Sequence, residues 1–351
     1  MAEVTTIGLD IAKHVFQAHG VDADGHKVFS RRLTRAKVLE FFSAQPRSLV
    51  ALEACGGAHH WARELAKLGH DVRLIPPAYV KPFVKRNQKN DANDAEAISE
   101  AAQRPNMRFV AVKSEEQQAS ALVFRTRDLL VRQRTQLINA IRGHMAEYGW
   151  VAPKGRMWMA SLREVIDSDN SLPVAARDML RVMLVMLDGL DGLDGLDGLD
   201  FQIADLDKEI ARRAREDEDV RRLMTIPGIG PIAATAICAL APPAETFARG
   251  RDFAAWVGLT PLQKSTGGKP RQRRTTKMGE RTLRRLLIIG TSTLIRHASK
   301  KGPTEGGWLA SMLTRKPRML VTVAQANKTA RIVWAVLTKK EDYRASLAAA
   351  V

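Results

Sequence analysis

Two hydrophobic rhythms divide the chain. Up to Ile75, short apolar runs alternate with helical stretches; from Ser114 onward the apolar positions recur at helical spacing. Val4 to Ala18 reads as a first strand, carried by Ile7, Leu9 and Ile11 and then Val15 and Phe16. Gly20 to Lys27 has turn chemistry around Asp22 and Asp24-Gly25, and Val28 to Leu33 returns as a second strand, making a hairpin. A helix from Arg35 to Ala44 follows, then a short buried strand, Ser48 to Ala54, that ends in Glu53 and Cys55-Gly56-Gly57. His59 to Leu68 reads as a helix closed by Gly69, and Asp71 to Ile75 as a strand stopped by Pro76-Pro77. Strands and helices in this order predict an α/β domain.

The second half predicts helices throughout. Ser114 to Tyr148 is one long helix, with Leu122, Leu129, Leu130, Leu137, Ile138 and Ile141 on its apolar side. Arg125, Arg127, Arg132, Arg134 and Arg142 lie on its outer side, either as a solvated face or as a stripe that tracks phosphates. Leu172 to Met186 is helical and runs into a Gly-Leu-Asp repeat between Asp188 and Asp200. That three-residue period suits neither a strand face nor a helix, and it differs from the nonapeptide pattern of calcium-binding repeats. It reads as an insertion, with Phe201 to Arg222 resuming as a charged helix to complete an antiparallel helical arm.

Next, Ile226-Pro227-Gly228-Ile229-Gly230-Pro231 places Gly-x-Gly before a helix, the pattern of a helix-hairpin-helix. Gly228 and Gly230 would let backbone amides approach a DNA phosphate; the plainer reading is a tight helix–helix turn. Phe253 to Gly258 is a further apolar turn, Thr282 to Leu337 is helical with a basic break at Arg315 to Arg318, and Lys339 to Val351 reads as a fraying tail.

Charge narrows the partners. The 351 residues hold 55 Lys and Arg against 38 Asp and Glu, a net +17, which points to a polyanion such as nucleic acid. Between Leu262 and Lys301 there are 12 Lys and Arg and a single acidic residue, Glu280, so the surplus is focused there. Within that stretch Lys264, Thr266, Gly267, Gly268, Lys269, Arg271, Arg273, Arg274 and Lys277 form a Gly- and hydroxyl-rich basic loop suited to phosphate contact. Cys55 and Cys238 are the only cysteines and have no metal-ligand spacing, so neither a disulfide scaffold nor a structural zinc is expected, and a reducing cytoplasm fits. The first residues lack the regions of a signal peptide, and no apolar run is long enough for a transmembrane helix.

Four carboxylates occupy chemically awkward places. Asp10 sits inside a strand and Glu53 at the end of another, while Asp91 and Asp94 stand three apart where a helix opens, on one helical face. Like charges this close call for a cation, and an all-oxygen set suits Mg²⁺ or Mn²⁺. Taken alone, Asp91 and Asp94 have a plainer reading that is the better one: Asp91 caps the helix, and Asp94 and Glu96 favour its first turn through the helix dipole. Joined to Asp10 and Glu53, they match the arrangement of a ribonuclease-H-like, resolvase-type nuclease domain, whose sites hold two divalent ions.

In this order the motifs resemble the DEDD transposases of the insertion-sequence 110 type, in particular their insertion-sequence 1111 branch, over nearly the whole chain. The resemblance rests on Ile7-Gly8-Leu9-Asp10, Leu52-Glu53-Ala54-Cys55-Gly56, Lys89-Asn90-Asp91-Ala92-Asn93-Asp94, Ile226-Pro227-Gly228-Ile229-Gly230, and Gly258-Leu259-Thr260-Pro261 through Thr276-Lys277-Met278-Gly279. It implies a ribonuclease-H-like domain over residues 1–113, a coiled-coil arm over 114–222 and an all-α transposase domain over 223–345. It further implies metal binding by Asp10, Glu53, Asp91 and Asp94, and a serine nucleophile that forms a covalent phosphoserine with DNA. By motif that serine is Ser265, with Thr266 in the neighbouring place. A structured non-coding guide RNA, a homo-oligomer and a prokaryotic cytoplasmic setting come with the same resemblance. The Gly-Leu-Asp repeat departs from the family's pattern. Rival readings are a Holliday-junction resolvase that uses water, and a non-catalytic nucleic-acid-binding protein.

Overall fold

The computed structural model describes residues 3–84, 90–153, 158–168, 172–188, 198–269, 271–301 and 308–344. The chain divides into two units, residues 1–118 and 119–351.

The first unit is a mixed sheet with helices on both faces. Its elements are β1 (Thr6–Ile11), β2 (Val15–Val21), β3 (Lys27–Thr34), α1 (Val38–Ser43), β4 (Leu49–Glu53), α2 (Ala58–Lys67), β5 (Asp71–Ile75), α3 (Pro77–Val80) and α4 (Asp91–Ala102). The strand order is β3-β2-β1-β4-β5, with β1, β2 and β3 antiparallel and β1, β4 and β5 parallel. The expected single strand from Val4 to Ala18 is in fact two. Exposed residues 12–14 break it, and Val15 and Phe16 begin β2, with Phe16 paired to Ile11. That turn contains neither Gly nor Pro, so no local turn signal marks it.

Side-chain alternation assigns the two faces of the sheet. Ile7 and Leu9 of β1 and Val50 and Leu52 of β4 pack with Val38, Phe42, Trp61 and Leu65 of α1 and α2. On the opposite face Ala51 and Ile75 pack with Ala97, Ile98 and Ala101 of α4. Gly8 lies on this second face and makes the close approach possible. A Cβ at Gly8 would overlap the Ala95 carbonyl oxygen and stand 2.6 Å from the Ser99 amide nitrogen. A glycine within a strand thus marks a backbone-to-backbone contact.

The second unit is mostly helical: α5 (Glu115–Glu147, beginning at the boundary), α6 (Met159–Ser168), α7 (Val174–Asp188), α8 (Gly198–Glu216), α9 (Glu218–Met224), α10 (Pro231–Leu240), α11 (Gly250–Trp256), a hairpin of β6 (Pro261–Gln263) and β7 (Gln272–Thr275), then α12 (Arg281–Lys301), α13 (Trp308–Arg315) and α14 (Arg318–Lys339). α5 and α8 run antiparallel: Arg127 pairs with Asp207 through two hydrogen bonds, and Arg213 donates to Ser120 at 2.9 Å. Ile141 and Met145 of α5 close a small core with Leu162 and Ile166 of α6 and Leu180 and Leu184 of α7. Of the Gly-Leu-Asp repeat, residues 189–197 lie outside the described residues, and residues 198–200 open α8.

The expected helix from Phe201 to Arg222 is interrupted at Asp217, whose side chain accepts from the Val220 amide at 3.1 Å and starts α9. The expected fraying after Lys339 does not begin at once. Lys340 pairs with Asp219 at 2.6 Å, and the Tyr343 amide donates to Thr225 Oγ1 at 2.9 Å, so this stretch is docked on α9; residues 345–351 lie outside the described residues. Among the described residues no helix is long and apolar enough to cross a membrane.

Candidate active site

The parallel register of β1 and β4 pairs Leu9 with Leu52, so Asp10 and Glu53 come one residue later on neighbouring strands. Alternation turns both toward the face covered by α4. The cap of α4 is Asn90, whose Oδ1 accepts from the Asn93 amide at 2.9 Å. Asp91 is therefore the first residue of the helix rather than its cap, which corrects the plainer reading of that aspartate. Asp91 is exposed, and Asp94, Asp10 and Glu53 are half-buried.

Three of the carboxylates act on the fourth, Asp10. The Asp10 carboxyl is pushed up from its ordinary 3.8 to about 6, first by burial, then by the negative charges of Asp94, Asp91 and Glu53. A hydrogen bond with the Ile11 backbone works weakly in the opposite direction. The exposed Cys55 thiol is raised by partial desolvation and by the same Glu53 and Asp10 charges, which places it at the edge of the cluster. A carboxylate raised mainly by burial and then by three of its own kind leaves uncompensated negative charge, and the donors are all oxygen. Asp10, Glu53, Asp91 and Asp94 therefore fit a hard divalent cation.

The spacing is open. Among the described residues, the group of three bringing ligand atoms within 4.8 Å of one another is Asp22, Asp24 and His26 in the β2–β3 turn. There Asp22 Oδ1 already accepts from the Asp24 and His26 amides at 3.1 and 2.8 Å, which accounts for the grouping as turn chemistry.

Ser265 lies in the second unit, and its segment is a β-hairpin, where the sequence suggested a loop. Gly267 and Gly268, at φ of 56° and 73°, form a two-residue tip between the bridged residues Thr266 and Lys269. Both central residues of such a turn need positive φ, which explains the paired glycines. The Lys264 amide donates to the Arg271 carbonyl at 2.9 Å, and the Arg271 amide donates to Ser265 Oγ at 3.4 Å. Lys264, Ser265, Thr266, Lys269, Arg271, Arg274 and Lys277 are exposed; Arg273 lies on β7.

The base of the hairpin is anchored firmly. The Lys277 amide donates to the Gly258 carbonyl at 3.3 Å, and Arg284 donates to the Val257 and Met278 carbonyls at 3.0 and 3.1 Å. Sequence reasoning missed Arg284 because it lies on α12 and no local pattern links it to the hairpin.

The Gly-x-Gly segment forms the turn between α9 and α10. Gly228 has φ 87°, and Gly230 precedes Pro231, the first residue of α10. A Cβ at Gly230 would meet nothing within 4 Å, whereas one at Gly228 would stand 3.0 Å from the Gly290 carbonyl oxygen of α12. Gly228 thus serves packing, and Gly230 keeps the helix start open. The arginine stripe on α5 is partly used within the protein: Arg127 binds Asp207, Arg132 faces Asp128 at 3.5 Å, and Arg142 donates to the Ala152 carbonyl at 2.8 Å.

Comparison with known proteins now places the chain. Residues 7–149 match the profile of a DEDD transposase of the IS110 type, described as "Transposase", and residues 220–304 match the "Transposase IS116/IS110/IS902 family". A "Probable family 20 transposase" of Pseudomonas aeruginosa is 47% identical over 97% of this chain and 99% of that protein. The "Transposase for insertion sequence element IS1111A" of Coxiella burnetii is 38% identical over 98% of this chain and 92% of its own length. The "Transposase for insertion sequence element IS1328" of Yersinia enterocolitica is 37% identical, over 97% and 98% respectively. The mixed α/β unit followed by a helical region, with this agreement along the chain, makes the protein a transposase. It belongs to the DEDD transposases of the insertion-sequence 110 family.

Proposed function

We propose that the protein is a divalent-metal-dependent DNA recombinase that cleaves and exchanges DNA strands through a covalent phosphoserine at Ser265. The observation that carries the reading is the convergence of Asp10, Glu53, Asp91 and Asp94, felt by Asp10 as a carboxyl held near 6 by burial and its three neighbours. The sheet order β3-β2-β1-β4-β5 supports a ribonuclease-H-like first domain, with Asp10 and Glu53 on adjacent central strands.

Asp10, Glu53, Asp91 and Asp94 would hold Mg²⁺ or Mn²⁺, which would supply Lewis-acid stabilisation of charge on the scissile phosphate. Ser265 Oγ attacks phosphorus, losing its proton, while one P–O bond of the DNA breaks and the departing deoxyribose oxygen gains a proton. One phosphate ester replaces another, so the bond energy is retained for strand exchange. Lys264, Lys269, Arg271, Arg273, Arg274 and Lys277 hold the flanking phosphates, and Gly228 and Gly230 form the turn of a helix-hairpin-helix that adds backbone contacts. Asp10, Glu53, Asp91 and Asp94 belong to the first unit and Ser265 to the second, and the reading includes a homo-oligomer. The surplus of positive charge suits a structured guide RNA as a further partner.

The test is a denaturing gel of the full-length protein with element-end DNA and Mg²⁺ or Mn²⁺. A covalent protein–DNA band is expected, and Ser265→Ala and Asp10→Ala should each abolish it. A band persisting in Ser265→Ala would remove the serine role. Cleavage without any band in the unaltered protein would favour a resolvase that uses water.

A further inference from the structure

A cleft of about 240 Å³ in the second unit is lined by arginines from two helices. Arg125, Asp128 and Arg132 reach it from α5, and Glu280, Arg281 and Arg285 from the start of α12, over an apolar floor that includes Phe124 and Leu240. Four guanidinium groups face two carboxylates, so the cleft is cationic.

The arginines are not equivalent. Asp128 forms an ion pair with Arg285 and faces Arg132 at 3.5 Å, which fixes both across the cleft. Glu280 Oε1 accepts from the Thr282 amide at 3.0 Å and is used in starting α12. Arg125 and Arg281 are exposed and have no hydrogen-bond or ion-pair partner among the described residues. Two unpartnered guanidinium forks beside a second pair already held in place form a receptor for an oxyanion with several acceptor oxygens. The 21-residue helix α12 adds the positive end of its dipole.

From this geometry we infer that the cleft between α5 and the start of α12 binds a backbone phosphodiester of a nucleic-acid strand, with Arg125 and Arg281 as its direct contacts. Its volume exceeds that of a single phosphate, and its apolar floor suits the sugar of the same nucleotide. Asp128 is a positioning residue: it aligns Arg285 and Arg132 and keeps the empty cleft from being more strongly cationic. The segment Thr276–Glu280 runs from β7 directly into α12, so a strand held here is held by the element that also anchors the Ser265 hairpin. This inference requires a nucleic-acid partner but not Ser265 as nucleophile, so adduct formation is not its readout.

The experiment measures binding of full-length protein to a fluorescent DNA duplex and to an RNA duplex of the same sequence over a range of salt concentrations. Arg125→Gln with Arg281→Gln is compared with a control of equal charge loss, Arg181→Gln with Arg212→Gln, whose arginines are exposed and ion-paired elsewhere. The cleft variant should lower the slope of log affinity against log salt by about 1 to 2 and weaken binding roughly tenfold at low salt, on every sequence tried. The control should change both much less. Loss on DNA, on RNA or on both supports the site and identifies which strand occupies it. Equal losses in the cleft and control variants, on both nucleic acids, would overturn it. Neither altered cleft arginine has a hydrogen-bond or ion-pair partner to lose among the described residues, and an unchanged melting temperature verifies folding.

Discussion

Gly228 and Gly290 meet backbone to backbone. A Cβ on Gly290 would overlap the Gly228 carbonyl oxygen, and one on Gly228 would stand 3.0 Å from that of Gly290. The α9–α10 turn is thereby fixed against the middle of α12. Gly290→Ala should force the two apart and cost about 1–3 kcal/mol, the usual range for overpacking. Urea unfolding measures the loss; full stability in the variant would show that the contact is not tight. DNA affinity should fall with it, because the open helix start at Gly230 moves with the turn.

A second close approach positions the carboxylates. Because Gly8 touches Ala95 and Ser99, α4 lies near enough to β1 for Asp91 and Asp94 to act on Asp10. Gly8→Ala should lift the helix, destabilise the first unit by about 1–3 kcal/mol and weaken Mn²⁺ binding by roughly tenfold or more, as loss of support around metal ligands commonly does. Isothermal titration with Mn²⁺ reads the effect. Unchanged affinity in a folded Gly8→Ala protein would mean that α4 does not set the ligand geometry.

The raised Asp10 carboxyl has a signed consequence for stability. Its folded value of about 6 lies above the ordinary 3.8, so the folded protein binds the proton more firmly than the unfolded chain. That contribution is full below about 3.8 and is lost as pH rises through about 6. Metal-free protein should therefore lose melting temperature across this window through Asp10, and Mg²⁺ or Mn²⁺ should restore it on the alkaline side. Asp10→Asn should flatten the pH profile and remove most of the metal response. Melting curves with chelator and with metal, over a pH series, decide the matter.

The two thiols offer a readout independent of activity. Burial pushes Cys238 up to about 12, whereas Cys55 is exposed and raised in part by Glu53 and Asp10. Iodoacetamide should label Cys55 well before Cys238, and a divalent cation should speed Cys55 labelling by offsetting the neighbouring carboxylates. Mass spectrometry of the labelled peptides gives both rates. A Cys55 rate indifferent to metal would place the cation away from Glu53 and Asp10.

Much of the architecture follows from the sequence alone. The apolar runs and helical spacing locate β4, β5, α2 and α5 to within a residue or two, because burying one face imposes a period of 2 or 3.6 on the chain. Chemical character was equally legible: Asp10 within a strand, Glu53 at a strand end, two aspartates at a helix start, and a basic Gly-rich segment around Ser265. The ordered motifs, read together, were sufficient to indicate the family.

Only the tertiary structure decided which of these residues meet. The break between β1 and β2 depends on Ile11 pairing with Phe16. Gly8 matters because a helix some 90 positions along the chain presses on it, and Arg284 and Asp128 because their partners lie on other elements. Local sequence rules record what a residue prefers within its own turn or strand. The raised Asp10 carboxyl, the anchored hairpin and the arginine cleft arise from packing between segments far apart in sequence, where burial and neighbouring charge are set by the fold as a whole.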